Sequence, residues 1–500
     1  MKKNNDVLEA TLAELKKQIS DNNKMFQSNI EKLYKNANLL ESTTINESGN
    51  KVKEKTKQMI VRAMTPYIEA QAQINHLIGN LCEDMSRLNA IMAQQSFVQS
   101  QSEIGGAETR LRNLINASNE SEIGYDTYIQ FKEMMNNPLF DENREKTCII
   151  QMVSEVKFGD AVGNDVMAIN DVLKSEGHLT GVFVSKFDKK VNKRDVYSIK
   201  MLMNLKKDDV VIYHLASQDP LVEIIKELPC KVVLRYHNVT PPEFFAPYDA
   251  ISQMVTENGL EQVKELKDYV DYGMVVSEFN KQDLIRMGYT CPIDVVPIVI
   301  PFDDYKKTPD KDVVKKYSDG ITNILFVGRG APNKKIEDVI TAFATYKKNY
   351  DESARLFLVG NYDNSSKYKR VINDTIDKLQ VKDVIFPGHI SFAAILAYYS
   401  VADVFLCMSE HEGFCVPLLE AMSFNLPILA YECAAVPGTL GGAGELFSEK
   451  DYEDVAKRID RLVHDEEYRK AIIEGQGKRL KDFEYANVRK EILDCVKKYQ

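Results

Sequence analysis

The chain has 500 residues, 44% of them hydrophobic and 28% charged, with no excess of Gly or Pro. That is the composition of a folded globular protein too long for one compact domain. A net charge of -10 argues against binding nucleic acid through a general phosphate-neutralising surface, so no nucleic-acid partner is expected.

The start, MKKNNDVLEATL, carries basic residues with no apolar core behind them, so no signal peptide is expected. No apolar run approaches the roughly 18 residues of a membrane span. The cysteines, Cys82, Cys148, Cys230, Cys291, Cys407, Cys415, Cys433 and Cys495, are scattered and form no C-x-x-C pair. Most lie in or beside apolar runs, the pattern of reduced thiols in a cytoplasmic protein, and zinc is not expected.

From Met1 to about Leu139 the sequence reads as helix. Leu8, Leu12, Leu15 and Ile19, then Tyr67, Gln71, Ile74, Ile78, Leu81, Met85, Leu88 and Met92, recur at alternating four- and three-residue steps. This is a heptad seam. It fits a bundle folded on the rest of the chain or a coiled coil that joins a second copy or another partner. Asn46 to Lys55 and Gln101 to Ala107 read as breaks between helices.

At Thr147 the character changes. CIIQMV, GVFV, DVVIYH, KVVLRY, YGMVV and DVVPIVI are short, nearly continuous apolar runs, most followed by a helix-like segment. Such runs predict strands buried on both faces, hence a parallel sheet between helices. Lys189, Lys190, Lys193 and Arg194 read as a solvated turn. After a polar linker around Pro301 to Pro309 the pattern restarts with NILFVG, RLFLVG, DVIFPG, DVFLCM, LPILAY and GELF. The expected fold is therefore α/β, two doubly wound Rossmann-like domains behind an all-α region. The expected boundaries are 1–140, 146–305 with a returning C-terminal helix within 481–500, and 306–480. Ligands in such sheets sit beyond the carboxyl ends of the strands, here in the cleft between the domains.

The segment SEHEGFCVPLLEAM, Ser409 to Met422, follows strand DVFLCM. Pro417 is placed as the first helical residue, which puts Glu412 in the loop and Glu420 in the first helical turn. Free N–H groups there suit phosphate or sugar oxygens, and the carboxylates suit hydroxyls. A helix-start carboxylate that merely serves the dipole would also explain Glu420. FVGRGAPNKK, Phe326 to Lys335, brings two glycines and the cations Arg329 and Lys334 to another strand end, which suits a bound diphosphate. KFGDAVGND, Lys157 to Asp165, offers Gly163 at a helix start, and His214 and His237 stand at neighbouring strand ends. Asp310 and Asp312 form a D-x-D that reads as a helix cap rather than a metal site.

As a set and in this order, these segments resemble the retaining GT-B glycosyltransferases of glycosyltransferase family 4. Glu412 and Glu420 match the two glutamates of the E-x7-E signature, and FVGRGAPNKK resembles the diphosphate loop. HLAS and RYHNVTPPEFF resemble the histidine loops, and FGDAVGND the glycine loop. The resemblance runs from about Thr147 to the C-terminus. It implies a donor site in which Arg329 and Lys334 neutralise the diphosphate, Glu420 holds the ribose, and Glu412 with Gly413, Phe414, Cys415 and Val416 contacts the transferred sugar. It implies His214 and Glu412 as catalytic groups, Gly163 on the donor side, and His237 with Asn238 on the acceptor side. Cys415 and Asn425 stand where the family often has glycine.

The implied reaction moves a sugar from a nucleotide diphosphate sugar to a glycan or lipid-linked acceptor, with retention and without a metal or other cofactor. A cytoplasmic enzyme, peripheral at the inner face of the membrane, fits that reading. A GT-B epimerase or phosphorylase, and a non-catalytic scaffold, are the rival readings.

Overall fold

The computed structural model describes residues 137–499, apart from 142, 158–159, 188–194, 200–201, 203–204, 363–365 and 389. The heptad seam and the basic cluster at 189–194 lie outside the described residues. The chain divides into two compact units, Met1–Lys146 with Tyr197–Asn204, and Thr147–Val196 with Leu205–Gln500. In the first, Asn137 caps a turn of 3-10 helix at Pro138–Phe140, its Oδ1 accepting from the Leu139 amide at 3.0 Å. Phe140 meets Tyr197 edge to face with ring centroids 4.9 Å apart.

The second unit holds both α/β halves. In the first half lie β1 (Ile149–Val156), α1 (Ala161–Ser175), β2 (Val182–Phe187) and β4 (Val210–Leu215), and the short β3 (Val196–Ser198) falls on the division between the units at Val196. They continue with α2 (Val222–Lys226), β5 (Lys231–Tyr236), α3 (Ala250–Glu265), β6 (Tyr272–Val275), α4 (Glu278–Arg286) and β7 (Ile293–Val295). The strands run parallel in the order β2-β1-β4-β5-β6-β7. DVVPIVI was expected to be strand throughout, yet β7 stops at Val295. Pro297 has no N–H for the ladder, and the carbonyls of Val296 and Pro297 accept from Arg235 instead, at 2.5 and 3.1 Å.

The second half begins with α5 (Lys311–Tyr317), capped by Asp310 as read from the sequence, its Oδ1 accepting from Asp312 and Val313 at 2.9 and 3.3 Å. Then come β8 (Asn323–Val327), α6 (Ile336–Asn349), β9 (Arg355–Val359), α7 (Lys367–Leu379), β10 (Val384–Ile385) and α8 (Phe392–Val401). They are followed by β11 (Val404–Cys407), α9 (Val416–Ser423), β12 (Ile428–Tyr431), α10 (Val436–Leu440) and β13 (Glu445–Phe447). The helices α11 (Tyr452–His464), α12 (Glu466–Leu480) and α13 (Tyr485–Tyr499) finish the chain. This sheet is also parallel, in the order β10-β9-β8-β11-β12-β13.

Continuous apolarity has the expected cause. Leu325, Phe357, Phe405 and Cys407 face one core layer, while Ile324, Phe326, Leu356, Leu358 and Leu406 face the other. A buried aliphatic or aromatic side chain contributes about 1.5–3 kcal/mol. Alternate residues spend that on opposite faces, so no polar side remains. Helix α13 returns to the first half, where Val488, Ile492, Cys495 and Val496 pack with Ile169 and Val172 of α1. Among the described residues no helix is long and apolar enough to cross a membrane.

In each sheet the chain moves outward from its first strand in one direction and then in the other. The resulting switch points lie between β1 and β4, and between β8 and β11. Strand order reverses there, and the loops part to leave a crevice.

Candidate functional site

At the second switch point the loop after β8 meets the loop after β11. Asn333 ties them: its Nδ2 donates to the His411 carbonyl at 2.9 Å and its own carbonyl accepts from the Glu410 amide at 2.9 Å. The 3-10 turn Pro332–Lys334 then aims Lys334 at Glu412, Nζ to Oε1, at 2.5 Å. Burial is the largest influence and works against the ammonium, but the Glu412 carboxylate and the neighbouring sulfurs together hold the Lys334 pKa above its ordinary value. Lys335 turns away, toward Glu410 at 3.3 Å. Arg329 is exposed and its guanidinium has no partner among the described residues. So the loop offers one neutralised cation and one free one.

Cys415 precedes α9 in a left-handed conformation, φ 71°. Pro417 is the second residue of this helix rather than the first, and Glu420 is the fifth, beyond the first turn where it was expected. Both oxygens of Glu420 are held. Tyr305, in the 3-10 turn Asp304–Lys306 of the linker, donates to Oε1 at 2.7 Å, and Tyr399 of α8 donates to Oε2 at 2.6 Å. Burial raises the Glu420 pKa, and the two phenols oppose that rise. A dipole-serving surface carboxylate would have neither partner. The amides of Gly413, Phe414 and Cys415 donate to nothing among the described residues, which leaves three donors at a helix start.

In the first half, His214 ends up in a chain of hydrogen bonds. Gln151, the one polar residue in the IIQMV run of β1, donates its Nε2 to the Val166 carbonyl at 3.0 Å, so its Oε1 faces His214 Nε2 at 2.9 Å. His214 Nε2 therefore carries the hydrogen, and Nδ1 accepts from His237 Nε2 at 3.0 Å. This leaves His237 Nδ1 as a buried lone pair with no partner among the described residues. Burial keeps both rings neutral: the His214 pKa is lowered and that of His237 falls to about 4. The neighbouring Asp165 is engaged bidentately by Arg235 at 2.8 and 3.1 Å, with both side chains fully buried.

Two of the expected site residues sit as follows. His214 was taken as the ring that meets substrate, yet both its nitrogens are committed to the protein, and the free nitrogen belongs to His237. Gly163 was taken as a donor contact, yet it is buried in α1. A Cβ there would lie 2.7 Å from the Lys157 carbonyl, so the close approach of this helix start to the end of β1 requires a glycine.

The two halves touch where their loops face each other. Asn238, at φ 81°, receives His411 Nε2–H on its Oδ1 at 2.6 Å, and Ser277 Oγ donates to the Gly413 carbonyl at 2.7 Å. A Cβ on Gly413 would sit 2.4 Å from the His237 carbonyl. His237, Asn238, Glu412 and Gly413 thus meet in one crevice, with Lys334 on Glu412. Gln151, Ser277, Tyr305, Asn333 and Tyr399 were missed in the sequence. Only Gln151 carried a signal, as a lone amide in an apolar strand.

Residues 309–479 match the family model "Glycosyl transferases group 1". O-antigen chain mannosyltransferase B of Escherichia coli is 22% identical over 281 residues, 53% of this chain and 70% of that protein. Alpha-monoglucosyldiacylglycerol synthase of Acholeplasma laidlawii is 30% identical over 192 residues, 36% of this chain and 46% of that protein. The match to the serotype-specific mannosyltransferase WbdA of Escherichia coli takes in only 20% of that protein. Among solved structures, sucrose-phosphate synthase from Thermosynechococcus elongatus superposes with a TM-score of 0.57 at 16% identity, over 71% of this chain and 99% of that one. Anabaena HepE, solved with UDP-glucose, gives 0.55 at 15% identity, over 70% and 99%. These structures share the fold, two parallel-sheet halves in the GT-B arrangement. Residues 309–479 are thus similar to the group 1 glycosyltransferases, and the two α/β halves have the GT-B fold.

Proposed function

We propose that the chain transfers a sugar from a nucleotide diphosphate sugar to a glycan or lipid-linked acceptor, retaining the anomeric configuration and using no metal. The observation that carries this is the Lys334–Glu412 pair at the second switch point, pressed through Gly413 against the His237 loop. Relatives named for O-antigen mannosyl transfer and for glucosyldiacylglycerol synthesis agree with such donors and acceptors.

In this reading the nucleotide lies over the second sheet. Glu420, oriented by Tyr305 and Tyr399, accepts from the ribose hydroxyls. Arg329 and Lys334 take the charge of the departing diphosphate, assisted by the amides of Gly413 to Val416. Fixed cations and amides then do what a metal would otherwise do, at no reorganisation cost during the reaction. His237, neutral, accepts from a sugar hydroxyl on Nδ1, and His214 with Gln151 fixes its tautomer. The acceptor enters on the side of His237 and Asn238.

For a retaining transfer the route that fits is departure and attack on one face, because Asp165, a carboxylate beside the histidines, is held by Arg235 and is unavailable as a nucleophile. That route needs none. Incubation with donor and acceptor, followed by NMR of the product, tests this: the new bond should keep the donor's anomeric configuration, and EDTA should leave turnover intact. An inverted product refutes retention. Loss of turnover with EDTA refutes the metal-free route.

A further inference from the structure

Beneath the donor loop lies a cluster whose two thiols the proposed transfer does not use. Cys407 ends β11, and Cys415 precedes α9 eight residues later. Their Sγ atoms and a carboxylate oxygen of Glu412 all lie within 4.8 Å of one another. The three residues are 1%, 6% and 8% exposed. A tetrahedral zinc site, with Zn–S about 2.3 Å and Zn–O about 2.0–2.2 Å, requires ligand–ligand edges of roughly 3.5–3.8 Å. No pair of the three ligand atoms therefore exceeds that spacing by more than about 1.3 Å. Two sulfurs and one carboxylate suit a thiophilic cation and not magnesium or calcium. The Ser409 hydroxyl, 3.5 Å from Cys407 Sγ, is placed to donate to a bound thiolate.

A second observation concerns Cys415 itself. Its φ of 71° belongs to the region that glycine enters freely and other residues enter with strain. A cysteine is kept there, with its thiol turned inward to a second thiol. Strain at such a position fits a functional side chain. The other compact group of ligating atoms, Asp165 with His214 and His237, is already neutralised by Arg235.

We propose that Cys407, Cys415 and Glu412 bind a thiophilic divalent cation of the zinc class, and that the cation inhibits the enzyme by replacing Lys334 as the partner of Glu412. Binding releases two thiol protons; the two thiolates and the carboxylate become ligands and water takes the fourth position. The Lys334 side chain, 19% exposed, swings outward. The transfer itself uses no metal in the reading above, so this site is a brake and not a cofactor site. The inhibitory consequence rests on that reading, whereas the binding does not.

The test is a titration of the full-length protein with Co2+ under a non-thiol reductant, then displacement by Zn2+, with no sugar substrate present. Wild type should take up one equivalent with the near-ultraviolet band of two Co–S bonds. Cys415→Gly, which suits the backbone and should keep its circular-dichroism melting curve, should bind at least 100-fold more weakly. Lys334→Met, which lacks the competing ammonium, should bind about tenfold more tightly. A missing band, or a band of full strength in Cys415→Gly, overturns the site. With the site filled, turnover of the nucleotide sugar should fall at least tenfold; full turnover overturns the brake and leaves the transferase reading intact.

Discussion

Replacing Lys334 by Met leaves the Glu412 carboxylate without a counter-charge in a pocket where it is 8% exposed. At 2.5 Å the pair attracts by about 7 kcal/mol for an effective dielectric of about 20, before desolvation is subtracted. Removing one partner of a buried pair costs about 3–5 kcal/mol. The Lys334 side chain keeps 19% exposure, which places this case at the low end, about 3 kcal/mol. For a unit of this size that lowers Tm by about 4 °C. Glu412→Gln in the same chain removes the stranded charge, so the double variant should recover about 2 kcal/mol of the loss. Activity should not follow stability. A lost charge-stabilising group typically costs about 100- to 1000-fold in kcat, and the double variant should be at least as impaired. Thermal melts of the four proteins, with nucleotide diphosphate release measured on each, separate the two effects. A Lys334→Met protein that melts with the wild type, or a double variant that regains turnover, would refute the reasoning.

Tyr399→Phe removes the hydroxyl on Glu420 Oε2 and leaves a buried acceptor short of a donor, at about 1–3 kcal/mol. Calorimetry should find nucleotide binding weakened, and unchanged affinity would remove the positioning role. Gly413→Ala puts a Cβ 2.4 Å from the His237 carbonyl, so kcat should fall at least tenfold and stability by about 1–3 kcal/mol; full activity would show that this approach is dispensable. The His237 pKa is lowered by burial to about 4 from an ordinary 6.5. The unfolded chain therefore binds the proton first, and the stability is complete above pH 6.5 and lost as pH falls toward 4. The full span is about 3 kcal/mol. His237→Gln should flatten that part of a denaturant-midpoint profile, and an unchanged slope would refute the assignment.

The strands were legible because a parallel sheet under helices demands apolar residues on both faces, and the runs from CIIQMV to LPILAY say so directly. The cap at Asp310 and the strand-end loops were legible for local reasons. What was not legible depended on distance in the chain. Tyr305 and Tyr399 reach Glu420 from 115 and 21 residues away, and no local pattern marks a phenol as a carboxylate's partner. His214 and His237 looked alike as strand-end histidines; only the orientation of the Gln151 amide shows which ring keeps a free nitrogen. Cys407 and Cys415 do not have metal-motif spacing, and it takes the turn between β11 and α9 to bring their sulfurs together. Arg235 inside KVVLRY was a signal of another kind, a lone charge in a buried strand that had to find a carboxylate.

The central claim is that a nucleotide diphosphate sugar binds over Lys334, Glu412 and Glu420. The most direct measurement is thermal stabilisation by a panel of UDP-, GDP- and ADP-sugars, on wild type and on Lys334→Met. A ligand at about 100 times its Kd stabilises by about 2.7 kcal/mol, or roughly 4 °C here. At least one sugar nucleotide should shift the wild type by that amount and leave Lys334→Met nearly unmoved. A panel that shifts neither protein, or shifts both equally, would contradict the account.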